Sequence, residues 1–366
     1  MDKYSEVKMN LEELDEEHRK LVERFGASYI SSLKKRPNFR TFNKGLIFSH
    51  RDFDKYVESL EKGEKCAIVS GFNASGTMHY GHKAVFDTNL FFQKEYGVDI
   101  FIPISDDESY VVGKIKTQEE GMNNSLELAR QLLAYGFDPS KTKIVIDQIF
   151  TNIYNLAIKF TRGTTFNMVK ATYGFTGETN VGMLFYPCVQ AAHILSPHLK
   201  EYGSYKRVLV PIGIDEDSHI RISRDIAARF GFEKPSVLHT QFIPDINGKK
   251  MSKSRPEGCI FLNEDPKIAK KKIMNALTGG RDTIERHRVL GGEPVKCIVF
   301  KYLKYYVYND DQIRELEEQC KSGKILCGEC KKILADFVKE DIQNFQNKLK
   351  KITLKDVEDV LLKNNI

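Results

Sequence analysis

Four short apolar runs punctuate the first two thirds of the chain: "CAIVSG" (66–71), "VDIFIPI" (98–104), "KIVID" (143–147) and "RVLVPIG" (207–213). Each is rich in Val and Ile, and Gly, Asp, Ser or Pro bounds each of them. A strand that is apolar almost throughout has both faces buried, as in a parallel sheet covered by helices on each side. The segments between supply those helices. "KAVFDTNLFFQKEYG", "QEEGMNNSLELARQLLAYG" and "DSHIRISRDIAARFG" place apolar residues three and four apart, the period of a helix with one buried stripe. Gly97 and Gly136 stand where the first two would end in a left-handed residue. Alternating strands and helices of this kind predict an α/β fold.

The flanks read differently. Residues 1–60 form a charged helical or irregular lead-in, with "LEELDEEHRKLVERFG" its clearest helix. From about 265 the strand signal stops, and "EDPKIAKKKIMNALTG", "VKCIVFKYLKYY", "DDQIRELEEQCKSG" and the remainder to Ile366 read as helices. The expected division is an extension over 1–60, an α/β domain over 61–265 and an all-helical domain over 266–366. There is no internal repeat and no low-complexity linker.

Composition changes this picture little. With 41% hydrophobic and 29% charged residues, the chain is an ordinary globular one of a length suited to two domains. A net charge of +6 permits a polyanionic partner without demanding one. No run is long and apolar enough to span a membrane, and the acidic N-terminus has no secretory core, so the expected compartment is the cytoplasm. The seven cysteines are odd in number and irregular in spacing, which fits a reducing compartment rather than a disulfide framework. Cys327-x-x-Cys330, with Cys320 upstream, suggests half a zinc site. No second Cys/His pair follows at finger-like spacing and the flanking sequence has helical period, so no metal ligand is assigned.

The chemistry lies in two other stretches. "GFNASGTMHYGHK" leaves the first strand and enters a helix, at the strand end where open parallel sheets bind ligands. It contains neither a dinucleotide-binding G-x-G-x-x-G nor a P-loop. Instead it carries His79 and His82, three apart and so on one face of a helix start, where free backbone N–H groups already favour phosphate. Gly81 between them suits a flat base packed against bare backbone. Downstream, Lys250-Met251-Ser252-Lys253-Ser254 follows a Gly-containing loop beyond the last sheet strand. Two ammonium groups on a flexible loop suit the charge that develops on a leaving pyrophosphate. Taken singly, either stretch reads as a solvated turn or a basic loop. Both in this order around an α/β pattern do not.

The pair resembles the HIGH and KMSKS signatures of class I aminoacyl-tRNA synthetases. Over about 45–340, "MHYGHK", "ISDDESY", "FYPCVQAAHIL", "VPIGIDEDSHIRISRDIA" and "GGRDTIERHR" resemble the tryptophanyl-tRNA synthetases of the archaeal and eukaryotic branch. That resemblance implies a Rossmann-type catalytic domain with an insertion at about 112–180, a helical anticodon-recognising domain and a homodimer. It implies activation of L-tryptophan with ATP and Mg2+, then transfer to tRNA(Trp), with no membrane or DNA partner. His79, His82, Lys250 and Lys253 would be catalytic. Gly71, Gly81, Gly213, Asp215, Met251, Ser252 and Ser254 would contact ATP, with Glu216 departing from the Gln usual after Asp215.

Glu108 and Gln190 would meet the substrate ammonium, although Glu108 also suits a helix N-terminus. At the two positions expected to hold the indole N–H this chain has Val69 and Pro103, and neither side chain is an acceptor. His193 is the substitute candidate, with a core histidine on an apolar helix face as the alternative. Asp106 and Asp107 suit magnesium held through water, though no protein metal site is assigned. For tRNA the sequence offers Lys270, Lys271 and Lys272, and Lys348, Lys350 and Lys351. A tyrosyl enzyme of the same fold and a non-catalytic tRNA- or nucleotide-binding paralogue are the alternative readings.

Overall fold

The computed structural model describes residues 4–5 and 16–364, so residues 11–15 of the expected first helix lie outside the described residues. The chain divides into two units. One comprises residues 1–76, 85–241 and 352–366, the other residues 77–84 and 242–351.

The first unit is built on an eight-stranded sheet. In chain order its strands are β1 (Ser28–Tyr29), β2 (Ile47–Arg51), β3 (Cys66–Val69), β4 (Phe72–Asn73), β5 (Asp99–Ser105), β6 (Thr142–Ile146), β7 (Arg207–Gly213) and β8 (Ser236–Thr240). The longer parallel strands lie in the order β8-β7-β3-β5-β6, and the short β4 also pairs with β5. This is the doubly wound Rossmann order, with the first parallel strand in the middle and the winding reversed beside it. The reversal falls between β3 and β7, so the ligand crevice expected of such a sheet opens at the carboxyl ends of those two strands, beyond Val69 and at Gly213.

Its longer helices are α1 (Glu16–Phe25), α2 (Phe53–Glu61), α3 (Lys83–Tyr96, which begins in the second unit), α4 (Asp106–Val111), α5 (Gln118–Tyr135), α6 (Asn152–Thr161), α7 (Phe166–Tyr173), α8 (Val181–Leu195) and α9 (Asp217–Phe230). Local chemistry sets their ends. Thr117 accepts from the Glu120 N–H to begin α5, and Gly136, in a left-handed conformation, ends it. Val69, Phe101, Val145, Val189, Ala192 and Ile226 meet in the core that α6, α8 and α9 build against the sheet.

Four strands of the sheet fall where sequence pattern showed none, among them β4, which lies in the stretch read as leaving the first strand for a helix. β1 and β2 lie within the stretch read as helical or irregular, and β8 is "SVLHT". All five residues of β2, "IFSHR", are buried although three are polar. Ser49 Oγ lies 2.9 Å from His239 Nδ1, and Arg51 makes two 2.9 Å bonds to the Asp217 carboxylate. Polar residues satisfied by distant partners occupy core positions without leaving an apolar period, which is why the pattern missed them.

The second unit is mainly helical: α10 (Pro266–Met274), α11 (Ile284–Leu290), α12 (Ile298–Tyr302, continued by a π-turn over Leu303–Val307), α13 (Asp310–Lys321) and α14 (Cys327–Leu349). Asn309 and Gln312 cap α13 reciprocally. The last segment departs from the expected boundary at 266–366. Residues from 352 belong to the first unit, where the Ile144 N–H donates to Val360 O and the Leu362 N–H to Ile144 O, each at 2.8 Å.

Candidate active site

His79, Gly81, His82 and the Lys250–Ser254 loop fold into one unit, although about 170 residues separate them. The Tyr80 N–H donates to Ile260 O and the Leu262 N–H to Met78 O, each at 3.0 Å. The Tyr80 hydroxyl donates to Asp341 on α14 at 2.6 Å, and the Lys83 ammonium lies 3.4 Å from the same carboxylate.

The two imidazoles stack with centroids 3.8 Å apart. The Gly81 N–H donates to His79 Nδ1 and the His79 N–H to His82 Nδ1, both at 3.1 Å. A backbone N–H leaves each Nδ1 no room for a proton, so the ring proton sits on Nε2. Burial first, then the Lys253 ammonium, lowers His79 to about 3; burial, His79 and Lys253 hold His82 well below its usual value. Both rings are neutral near pH 7, each with its Nε2–H as a donor suited to phosphate oxygen. The geometry gives Gly81 a packing role beside the one expected of it. A Cβ there would lie 2.8 Å from His79 Cε1 and 3.4 Å from Met251 Cβ, so the glycine makes room for a histidine ring and the lysine loop's buried methionine.

A hairpin presents the lysine loop. Pro244 pairs with Lys250 across a turn in which Asp245 accepts from the Asn247, Gly248 and Lys249 backbone N–H groups, and Gly248 takes a positive φ. Met251 is buried, the Lys250 ammonium stands 4.4 Å from the Phe242 ring, and Ser252 Oγ lies 2.9 Å from Ser254 Oγ.

In the first unit, Gly71 follows β3, Gly213 ends β7, and Asp215 is exposed in the turn after it. Glu108 on α4 and Gln190 on α8 follow the same crevice logic, since α4 begins directly at the end of β5. Glu108 accepts from Asn73 Nδ2 at 2.9 Å, and burial raises its pKa above the ordinary carboxylate value. Gln190 Oε1 is a buried acceptor with no hydrogen-bond partner among the described residues. Val69 and Pro103 are buried and apolar, as expected from sequence.

His193 sits among acids. Its Nε2 lies 2.9 Å from Asp147 Oδ1, without hydrogen-bond alignment, and both side chains are almost wholly buried. Burial lowers His193 to about 4. Burial pushes both Asp107 and Asp147 up to about 8; the neighbouring Asp147 adds to the rise at Asp107, and at Asp147 the Asp106 charge raises while Asp107 lowers. Tyr154 donates to Asp107 at 3.3 Å. Asp106 is already engaged: its oxygens accept from the Asp147 N–H and from Gln148 Nε2 at 3.0 and 2.5 Å. Ligand atoms of Asp106, Asp107 and Asp147 lie within 4.8 Å of one another, a donor set suited to a hard cation.

Sequence reasoning missed Asp147, Asn73 and Asp341. Asp147 had a signal, since it ends the run "KIVID" at a strand's carboxyl end; the other two act through contacts no local pattern encodes. Lys272 is drawn inward, its ammonium bonded to Glu264 at 2.5 Å and to the Cys259 and Pro256 carbonyls. Lys270 pairs with Asp336 at 2.8 Å.

The doubly wound sheet and the histidine pair with its lysine loop together define a class I aminoacyl-tRNA synthetase architecture. The chain belongs to the family of tRNA synthetases class I (W and Y), whose profile matches residues 61–342. It is 39% identical over 358 residues to a tryptophan–tRNA ligase of Methanocaldococcus jannaschii, covering 93% of this chain and 95% of that protein. Among solved structures it is similar to the tryptophanyl-tRNA synthetase of Aeropyrum pernix, with a TM-score of 0.89, 33% identity and coverage of 97% and 99%. The Plasmodium falciparum tryptophanyl-tRNA synthetase is also similar, with a TM-score of 0.86, 31% identity and coverage of 93% and 96%.

Proposed function

We propose that the chain is a tryptophan–tRNA ligase, which forms tryptophanyl-AMP and pyrophosphate from L-tryptophan and ATP and then charges tRNA(Trp). The observation that carries this reading is the intact pair of motifs, folded into one unit in a chain whose curated relatives bear that name. In the first step the tryptophan carboxylate attacks the α-phosphorus and pyrophosphate leaves. No enzymic base is needed, so positioning and charge neutralisation do the work. The His79 and His82 Nε2–H groups donate to phosphate oxygens, and Lys250 and Lys253 neutralise the departing pyrophosphate. Gly71, Gly213 and Asp215 hold the nucleoside, and Met251, Ser252 and Ser254 shape the loop. Mg2+ accompanies the triphosphate, held mainly by phosphate and water oxygens.

Glu108 and the unpartnered Gln190 oxygen receive the substrate ammonium. The indole N–H falls to the acid cluster. A His193 Nε2–H facing Asp147 is a donor, not an acceptor, whereas the Asp107 and Asp147 carboxyl groups, protonated or not, keep an oxygen that accepts from an N–H. His193 then positions that carboxylate. The helical part of the second unit reads the anticodon, residues about 112–180 form the insertion, and the enzyme works as a cytoplasmic homodimer. No described helix is long and apolar enough to cross a membrane.

Amino-acid-dependent ATP–pyrophosphate exchange, with tryptophan and tyrosine side by side, tests the activity. Exchange with tryptophan alone, followed by charging of tRNA(Trp), is expected. Exchange with tyrosine would move the assignment to the tyrosyl enzyme, and none with either would leave a binding protein.

A further inference from the structure

The second unit also holds a buried aromatic cluster, Tyr80, Tyr302 and Tyr306, that the activation chemistry leaves unused. Tyr80 stands between His79 and Gly81 in the chain, and it is wholly buried. Its ring lies nearly parallel to that of Tyr302, with centroids 6.1 Å apart, and meets Tyr306 edge-on at 5.7 Å. Both separations are those of attractive aromatic pairs. Tyr302 is the last residue of α12, and Tyr306 falls in the π-turn that continues it. Such an irregularity in a helix recurs at functional positions.

Hydrogen bonds and charge tie this cluster to both motifs. Asp341 on α14 accepts from the Tyr80 hydroxyl at 2.6 Å, and the ammonium of Lys83, the residue after His82, lies 3.4 Å from the same carboxylate. That ammonium also stands 5.4 Å from the Tyr80 ring and 5.7 Å from the Tyr306 ring, within reach of a cation–π attraction. Asp341 therefore holds the chain on both sides of Gly81 and His82. On the other motif, the Tyr302 hydroxyl donates to Pro244 O at 2.6 Å, and Pro244 pairs with Lys250 at the base of the lysine hairpin. Burial first, and then the Asp341 charge, hold Tyr80 well above its usual pKa, and burial does the same for Tyr302, so both hydroxyls stay protonated as donors.

The consequence falls on the histidines. The backbone N–H groups that fix the two ring tautomers belong to His79 and Gly81, the residues on either side of Tyr80. Any displacement of Tyr80 moves both donors, and a catalytic group shifted by a fraction of an ångström loses much of its effect. We propose that Asp341 is a positioning residue: through Tyr80 and Lys83 it sets the His79–His82 pair, and through the packing of Tyr80 on Tyr302 it keeps that pair in register with the lysine hairpin. The inference rests on the ligase reading given above and adds to it a side chain on α14, far along the chain from either motif.

Asp341→Ala and Tyr80→Phe, each in the full chain, are compared with wild type in tryptophan-dependent ATP–pyrophosphate exchange well below the unfolding temperature. Positioning predicts a kcat lower by about tenfold or more in each, with KM for tryptophan unchanged because Glu108 and Gln190 still hold the amino acid. The double variant should be no slower than the slower single, since both substitutions break one bond. Nitrogen NMR of the histidine rings needs no turnover and reads the tautomers directly. Wild type should show the Nε2–H form at His79 and His82, and Asp341→Ala a mixture of forms. Tyr80→Phe, which removes a single oxygen, decides the matter where Asp341→Ala fails to fold. Ring signals and kcat at their wild-type values in either folded variant would overturn the proposal. A wild-type chain without exchange would remove the ligase reading, and the ring spectra would still decide whether Asp341 positions the histidines.

Discussion

Replacing Gly81 by alanine adds one methyl group where the structure leaves no space. The new Cβ would stand 2.8 Å from His79 Cε1 and 2.9 Å from Nδ1. Ordinary contact begins near 3.4 Å, so the ring must retreat by roughly half an ångström. Backbone strain is not the cause, because Gly81 does not have a positive φ. The ring is the movable part, and its retreat stretches the Gly81 N–H···Nδ1 bond that holds the proton on Nε2. A transition-state donor displaced in this way costs about 3 kcal/mol, or roughly 10²-fold in rate. Stability changes little, since Gly→Ala at an allowed conformation is typically favourable by about 0.4–1 kcal/mol and offsets the crowding. The assay is kcat for tryptophan-dependent ATP–pyrophosphate exchange, alongside thermal unfolding. The expected result is a rate lower by about 10²-fold in a protein of near wild-type Tm. A rate within about threefold of wild type would refute the tautomer reasoning.

Three further outcomes follow from the first unit. Asp147→Asn should lower kcat/KM for tryptophan about 10- to 100-fold through KM, the cost of about 1–3 kcal/mol for a mispaired buried N–H; an unchanged KM would remove the acid cluster from indole recognition. Glu108→Gln should raise KM for tryptophan about tenfold or more. Because burial raises Glu108, its carboxylate is protonated as pH falls through a value above the ordinary carboxylate range, so kcat/KM should fall there in the wild type and not in the variant. In Asp217, burial opposes ionisation but the His239 and Arg51 bonds outweigh it, lowering the pKa from 3.8 to about 2. That pair contributes about 2 kcal/mol, fully present above pH 4 and lost as pH falls toward 2. Urea unfolding of Asp217→Asn should show a deficit of at least that size at pH 7 that narrows in acid, and a deficit independent of pH would contradict the network.

The sequence by itself determined four of the sheet's parallel strands and the chemistry of its two motifs. Short apolar runs bounded by Gly, Asp, Ser or Pro and alternating with helical segments read as strands buried on both faces, and the signals at Gly97 and Gly136 are local, so Asp99–Ser105, Lys83–Tyr96 and Gln118–Tyr135 were legible without coordinates. His79, His82 and the Lys250–Ser254 loop were legible because their residue types are unusual in combination. Tertiary structure decided whatever depends on a partner distant in the chain. β2 is a core strand because His239 and Asp217 satisfy its Ser49 and Arg51. The protons of His79 and His82 are fixed by backbone N–H groups, and their neutrality by burial and Lys253. His193 lies 2.9 Å from Asp147, a neighbour that its own helix does not encode. Cys297, Cys320, Cys327 and Cys330, irregularly spaced in sequence, line one cavity. Periodicity records which face of an element is buried, because burial of apolar surface acts locally along the chain. It holds no record of which polar group meets which, because hydrogen bonds and charges pair across the fold.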